Sequence, residues 1–157
     1  MDSSLWQTHN FLGIIYDRQK EFKKASFHYQ KAITLQPNVG ILYNNLGMSL
    51  FLKGEYEASL QALIEGAKLD PNNKKILNNL GLLLCKLGRS QEAFETFKKA
   101  GNEASAYYNL GSFYLVERKY KEAIQSYQKA IDAKPEFYVE AYERMNQAKA
   151  ALATSSL

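Results

Sequence analysis

The chain has 157 residues, 46% of them hydrophobic and 13% aromatic, which excludes a disordered tail and allows one domain with a buried core. Its 20 basic and 16 acidic residues give a net charge of +4. Because both signs are scattered along the chain, we interpret most of them as solvated helix faces and expect no nucleic-acid partner, with a nucleic-acid footprint as the weaker alternative. No apolar run approaches the ~18 residues of a membrane-spanning helix, so no membrane span is expected.

Four Leu-Gly dipeptides divide the chain into repeats. Gly13, Gly47 and Gly81 are 34 residues apart, and Gly111 follows 30 residues later. The same residue types recur at fixed distances after each of these glycines. A large apolar residue stands three positions after the glycine (+3), a small one at +12, a bulky one at +16 and a small one at +19. In the first repeat these are Tyr16, Ala25, Tyr29 and Ala32, and in the fourth Tyr114, Ala123, Tyr127 and Ala130. Such a period predicts stacked two-helix units, because one unit cannot bury its apolar face alone.

The elements follow in chain order as four repeats, each with a first helix A and a second helix B, within one domain spanning 1–157. The predicted repeats are about 6–39, 40–73, 74–103 and 104–137. Gly54 and Gly88 are stop signals between helices A and B, since glycine commonly follows a helix end. Pro37, Pro71 and Pro135 end three of the repeats, because proline cannot continue a helix interior.

The third repeat is shorter than the others and has no proline at its end. In its linker Gly101 fits a left-handed position after a helix, and Asn102 fits the N-cap of the next helix. Helix B of this repeat is therefore predicted to end about one turn early.

A fifth helical pattern follows over about 138–153. One side of it carries Tyr138, Ala141, Met145, Ala148 and Leu152. Terminal units of a stack need one polar face, so we predict a C-terminal capping helix. No comparable cap precedes the first repeat. An exposed Trp6 would indicate either a missing repeat or a partner on that side, and self-association through this end is possible.

The spacing Leu12-Gly13-x2-Tyr16…Ala25-x3-Tyr29…Pro37 resembles the tetratricopeptide repeat (TPR), and the pattern returns from Leu110 to Pro135. The resemblance implies an all-α fold, a right-handed α-α superhelix (TPR solenoid) with a C-terminal capping helix. Residues 102–111 are similar to TPR proteins of tight-adherence (Flp) pilus assembly. That likeness implies a bacterial envelope lipoprotein whose leader has been removed, so the location stays open between the cytoplasm and the periplasm or envelope.

In TPR stacks the A helices line a concave groove that holds peptides, and asparagines precede three of the Leu-Gly dipeptides. They are Asn45, Asn79 and Asn109, with Asn44 and Asn78 before the first two. A carboxamide offers donors and an acceptor, so it can pair with any peptide backbone. We interpret the row as a peptide-binding ladder. The alternative is that the amides bond to neighbouring backbone or water and stabilise the superhelix. Phe11 replaces asparagine in repeat one, where the ladder is expected to end.

Apolar residues and one lysine complete the predicted groove. Met48, Phe51 and Leu82 are expected to form an apolar pocket beside the amides, with burial in the core as the alternative. Asn45 and Lys75 also match two positions of the family's carboxylate clamp. The clamp is rejected because most of its positive charge is absent, but both residues remain in the predicted peptide-binding set.

Catalysis is not expected, and no catalytic residue, metal site or cofactor is indicated. His9 and His28 are interpreted as structural or solvated, and Cys85 has no histidine in a matching register that would make it a nucleophile. We interpret the chain as a protein–protein interaction scaffold that binds an extended peptide or a helix of a partner in the concave groove. The alternative is a structural or assembly module of a bacterial pilus or envelope complex, acting through self-association or its terminal surfaces.

Overall fold

The computed structural model describes residues 5–134 and 139–155. Within those ranges the chain forms nine helices and no strand, so the predicted all-α fold is confirmed. None of these helices combines the length and apolar character that crossing a bilayer requires. The helices are α1 (Leu5–Arg18), α2 (Phe22–Leu35), α3 (Gly40–Lys53), α4 (Tyr56–Leu69), α5 (Lys74–Lys86), α6 (Ser90–Ala100), α7 (Glu103–Val116), α8 (Tyr120–Ala133) and α9 (Val139–Ser155).

The chain forms two compact units, residues 1–83 and 84–157, and the boundary falls within α5. In the first unit α1 packs against α2, α2 against α3, and α3 against α4. Its core includes Ala25 and Tyr29, the +12 and +16 positions of repeat one, together with Leu46 and Ala62. The residue types that recur with the Leu-Gly dipeptides are therefore the ones that pack the hairpins. The repeat boundaries themselves stay a prediction.

Small residues let helices α3 and α4 approach closely. A Cβ atom placed on Gly66 would lie 2.9 Å from the carbonyl oxygen of Gly40, and one placed on Gly40 would lie 2.8 Å from the carbonyl oxygen of Gly66. A Cβ on Gly47 would lie 2.7 Å from Cγ of Leu63. Because interiors are close-packed, a larger residue at Gly66 would force the two backbones apart.

The turn between helices A and B has one geometry in every repeat. The backbone N–H at +8 donates to the carbonyl at +3, over 2.8 to 2.9 Å, in the pairs Glu21–Tyr16, Glu55–Leu50, Arg89–Leu84 and Lys119–Tyr114. Gly54 and Gly88 have φ of 88° and 76°, which confirms them as stop signals. Lys20 and Arg118 hold the same position with φ of 60° and 58°. This left-handed conformation is unfavourable for residues with a Cβ atom.

In the second unit, α6 packs against α7, α7 against α8, and α8 against α9. Helix α6 has 11 residues, whereas α2, α4 and α8 each have 14, so the predicted early end is confirmed. Oδ1 of Asn102 accepts a hydrogen bond from the backbone N–H of Ser105 at 2.8 Å, which confirms the N-cap. The left-handed conformation predicted for Gly101 is wrong, since its φ is −146°. Its backbone N–H closes α6 by donating to the carbonyls of Phe97 and Lys98, and the chain then passes directly into the extended cap residue Asn102.

Helix α9 packs against α8 through small and flexible side chains. Ala141, Met145 and Ala148 are buried as the sequence pattern predicts, and Leu152 is half-buried. They join the buried Tyr127 of α8 in one cluster. The predicted positions of Pro135 and Tyr138 lie outside the described residues.

Candidate functional site

A chain of hydrogen bonds joins four asparagine side chains on α1, α3 and α5. Nδ2 of Asn45 donates to Oδ1 of Asn10 at 2.9 Å. Nδ2 of Asn44 donates to Oδ1 of Asn45 at 3.2 Å, and Nδ2 of Asn79 donates to Oδ1 of Asn44 at 2.8 Å. We call these four residues the amide relay. All four lie in the first unit. Because α1, α3 and α5 are the A helices of three successive predicted repeats, the relay links those helices.

The relay follows a diagonal rule that the Leu-Gly register makes visible. Asn10 and Asn44 lie three residues before their glycines, whereas Asn45 and Asn79 lie two residues before theirs. The −3 amide of one repeat therefore accepts from the −2 amide of the next repeat. The row of hydrogen-bonded amides does not end where Phe11 replaces asparagine, because Asn10 extends it from the preceding position. The sequence could have indicated Asn10 as a member of the relay, because Asn10 and Asn44 both stand three residues before a Leu-Gly glycine.

Asn44 differs from the other members of the relay because it is only 1% exposed. Its Nδ2 bonds to Asn45 and its Oδ1 accepts from Asn79, so the buried amide has a partner at both ends. The prediction that Asn44 contacts a ligand in the groove is therefore wrong. Its side chain holds those of Asn45 and Asn79 in place by hydrogen bonds, which agrees with the alternative that the amides stabilise the fold.

Three members of the relay keep hydrogen-bonding groups that the described part of the chain leaves unused. Asn10, Asn45 and Asn79 are each half-buried. A carboxamide has two N–H donors and an oxygen acceptor. After the relay bonds are counted, Asn10 retains both N–H groups, Asn45 retains one, and Asn79 retains one N–H group and its oxygen. The relay thus offers donors along its length and an acceptor at the Asn79 end.

The remaining predicted groove residues of the first unit follow the relay along α3 and α5. Met48 lies one turn after Asn44, and Leu82 one turn after Asn79; Met48 and Leu82 are both half-buried. Phe51 is also half-buried, and its ring lies 5.6 Å from that of Tyr56 at the start of α4. Each of these three side chains is therefore partly packed in the protein and partly exposed to solvent.

Three polar residues of the predicted site lie at its margins or outside the first unit. Lys75 and Asn78 are exposed on α5, one turn apart on the same face of the helix as Asn79 and Leu82. Asn109 is half-buried on α7 and belongs to the second unit. The structure therefore brings Asn45 and Asn79 together through Asn44.

A carboxylate that sequence reasoning missed links the same helices. Oδ1 of Asp17 accepts from Oγ of Ser49 at 2.6 Å, and Oδ2 accepts from the hydroxyl of Tyr29 at 2.8 Å. Burial, followed by the hydrogen bond to Asp17, raises the pKa of Tyr29 well above its ordinary value. Asp17 therefore bridges α2 and α3 from its place on α1. The sequence did carry a signal for this role of Asp17. It is an acidic residue four positions after the Leu-Gly glycine, where the other repeats carry Phe51, Cys85 and Leu115.

The side chains considered for catalysis are held in packing or in mutual contact. Burial raises the pKa of the Cys85 thiol to about 12, so at neutral pH it is not the thiolate that a nucleophile requires. Nδ1 of His9 lies 2.9 Å from Nδ1 of His28, and the rings of His28 and Tyr16 stack at 5.3 Å. Burial, followed by the charge of His9, lowers the pKa of His28.

Comparison with known sequence families gives matches over much of the chain. A family model described as "Tetratricopeptide repeat" matches residues 6–39 and 104–137. A second family model, described as "TPR repeat", matches residues 47–88. A third model, also described as "Tetratricopeptide repeat", matches residues 28–61. The matches at 6–39 and 104–137 have the limits that the Leu-Gly register predicts for repeats one and four.

Individual relatives share the repeat sequence or its fold. The chain is 28% identical over 133 residues to the type IV pilus assembly protein PilF of Pseudomonas aeruginosa, covering 81% of this chain and 53% of PilF. The chain thus spans about half the length of PilF. The crystal structure of MamA is similar with a TM-score of 0.66 at 23% identity, over 96% of this chain and 84% of MamA. That of YrrB, described as a TPR protein with an unusual peptide-binding site, gives 0.65 at 24% identity, over 99% of this chain and 77% of YrrB.

Proposed function

Because the chain belongs to the tetratricopeptide repeat family, we propose that it is a protein-binding scaffold and that its first unit holds an extended peptide segment. The family matches and the pilus and peptide-binding relatives support the scaffold in general. The amide relay carries the specific proposal. Asn10, Asn45 and Asn79 retain donors and an acceptor on three successive A helices, a spacing that suits repeated contacts with one backbone.

In this mechanism the relay recognises the peptide backbone, and its neighbours select side chains. Free N–H groups of Asn10 and Asn45 donate to peptide carbonyls, and Oδ1 of Asn79 accepts from a peptide N–H group. Because Asn44 already holds Asn45 and Asn79 in place, little side-chain entropy remains to be lost when the peptide binds.

Selectivity comes from the residues beside the relay. Met48 and Leu82 contact apolar side chains of the peptide, and the exposed Lys75 favours an acidic residue beside them. Ordering a flexible segment costs a few kcal/mol of the gross interaction energy. We therefore expect micromolar affinity for a short peptide, about −8 kcal/mol.

The proposal is tested with peptides selected from a random phage-displayed library against the intact chain. Isothermal titration of a selected peptide is repeated with Asn79→Ala and with Asn146→Ala, a matched change of an exposed asparagine on α9. We expect at least tenfold weaker binding to Asn79→Ala, since one lost backbone contact of about 1.4 kcal/mol has that effect. Equal affinity for both variants, with unchanged helix content, would exclude a binding role for the relay.

A second candidate function is that of an assembly module in a bacterial pilus or envelope complex. The observation that favours it is the similarity to PilF, which is named as a type IV pilus assembly protein. The test is to express the chain in a Pseudomonas aeruginosa strain that lacks PilF and to count surface pili. Restored pili favour this function. A stably produced chain that restores none opposes it.

A further inference from the structure

Helix α1 carries a largely apolar face that no described part of the chain covers. Leu5 is 47% exposed, Phe11 64% and Ile15 48%, and these side chains fall within one ~120° sector of the helix, which also holds the exposed Thr8 and the half-buried Leu12. They extend over about 15 Å of its length. We call these three residues the α1 outer face. Trp6, which the sequence predicted to mark this end of the chain, lies outside that sector and is half-buried.

The repeat register shows which surface of the hairpin this is. Phe11 and Ile15 occupy the positions that Asn45 and Ser49 occupy in α3. In α3 those two side chains point to the preceding hairpin, because Asn45 bonds to Asn10 and Ser49 bonds to Asp17 on α1. The α1 outer face therefore corresponds to the surface through which one hairpin of this chain docks on another.

The chemistry of the face does not suit a hairpin like those in this chain. The docking surface that α1 presents to α3 includes an amide oxygen and a carboxylate, which Asn45 and Ser49 satisfy with donors. Phe11 and Ile15 have no donor to offer. Burying those polar groups against them would leave the groups without partners, at a cost in stability. The occupant must instead be apolar at the corresponding points.

A second copy of the same face meets that requirement. Leu5 and Ile15 lie at nearly equal distances along the helix on either side of its residue 10. In an antiparallel pair, Leu5 of one copy therefore meets Ile15 of the other, and the two Phe11 rings meet near the centre. Residues 5–16 carry no acidic or basic side chain other than His9, so no like charges oppose the approach. Antiparallel helix dipoles also attract each other.

We propose that the chain forms a two-fold symmetric dimer through the α1 outer face. Such an interface is isologous, since one self-complementary patch serves both copies. Three exposed side chains make a smaller apolar core than stable interfaces have, so the dimer is weak and exchanges with monomer in the micromolar range. This association is independent of peptide binding at the amide relay.

The test is sedimentation velocity of the full chain from low micromolar to near-millimolar concentration. The unmodified chain should shift from monomer to dimer. The double variant Phe11→Glu and Ile15→Glu should dissociate at least tenfold more readily, because it places charges in the centre of the interface. The control is Phe27→Glu, which changes a ring that is 54% exposed on α2, outside the face. Circular dichroism of each variant checks that the helices are retained.

Both kinds of outcome are decisive. A monomer at every concentration overturns the proposal, and so does a dimer that the double variant leaves intact. If the double variant loses helix content, amide chemical shifts of the unmodified chain are followed on dilution instead. Changes confined to α1 support the dimer, whereas changes elsewhere contradict it.

Discussion

Replacing the buried Asn44 by alanine should destabilise the first unit more than any exposed asparagine replacement. The change removes two hydrogen bonds of the relay, each worth about 1 kcal/mol net. It also truncates a side chain that is 1% exposed, which adds roughly 1 kcal/mol for the lost packing. We expect Asn44→Ala to lower the free energy of unfolding by about 2 to 4 kcal/mol. That is a large part of the 5 to 15 kcal/mol typical of a domain.

The assay is urea unfolding followed by the fluorescence of Trp6, the one tryptophan of the chain, which lies on α1 in the same unit as the relay. Asn38→Ala is the control, because Asn38 is exposed in the same unit and should change stability by less than about 0.5 kcal/mol. Combining Asn44→Ala with Asn79→Ala should reveal a coupling of about 1 kcal/mol through their 2.8 Å hydrogen bond. Equal effects of Asn44→Ala and Asn38→Ala, with no coupling, would refute the relay as a structural element.

Three further changes test the fold. Lys20→Gly and Arg118→Gly should each stabilise the chain by about 0.5 to 1 kcal/mol in thermal unfolding, since glycine removes the left-handed strain; a loss of stability would contradict this. Gly66→Ala should cost more than about 2 kcal/mol, because the new Cβ would lie 2.9 Å from a backbone oxygen of Gly40; an unchanged melting temperature would contradict the close contact. Cys85, with its pKa raised to about 12, should react with a thiol reagent at pH 8 far more slowly in the native chain than in urea. The thiol of Cys85 ionises at lower pH in the unfolded chain than in the native chain. The stability that the protonated, buried thiol contributes is therefore present below the unfolded pKa near 8.5 and is lost as pH rises towards 12. Equal thiol reaction rates in the two states would contradict burial.

The packing of the repeats could be predicted from sequence because each position meets the same neighbours in every hairpin. Ala25, Tyr29, Tyr127 and Ala130 are all buried, as their distances from the Leu-Gly dipeptides indicate. The early end of α6 was also accessible, since a missing proline and an N-cap asparagine are local signals. Periodicity and capping act within a few residues, so one chain is enough to detect them.

The parts that depend on the offset between neighbouring helices could not be predicted. Whether Asn44 or Asn45 faces the preceding helix is decided by a rotation of one residue about α3, and both look alike in sequence. The diagonal bonds from Asn45 to Asn10 and from Asn79 to Asn44 resolve that choice. The residue type of Lys20 does not indicate a left-handed conformation; only the repeat position that it shares with Gly54 and Gly88 does.

The most direct test of the central claim is nuclear magnetic resonance of the side-chain amides during titration with a selected peptide. The account predicts that the Nδ2 signals of Asn10, Asn45 and Asn79 shift as the peptide saturates the chain, while that of Asn146 on α9 stays in place. Saturation with those three signals unmoved would contradict a peptide-binding relay on the first unit.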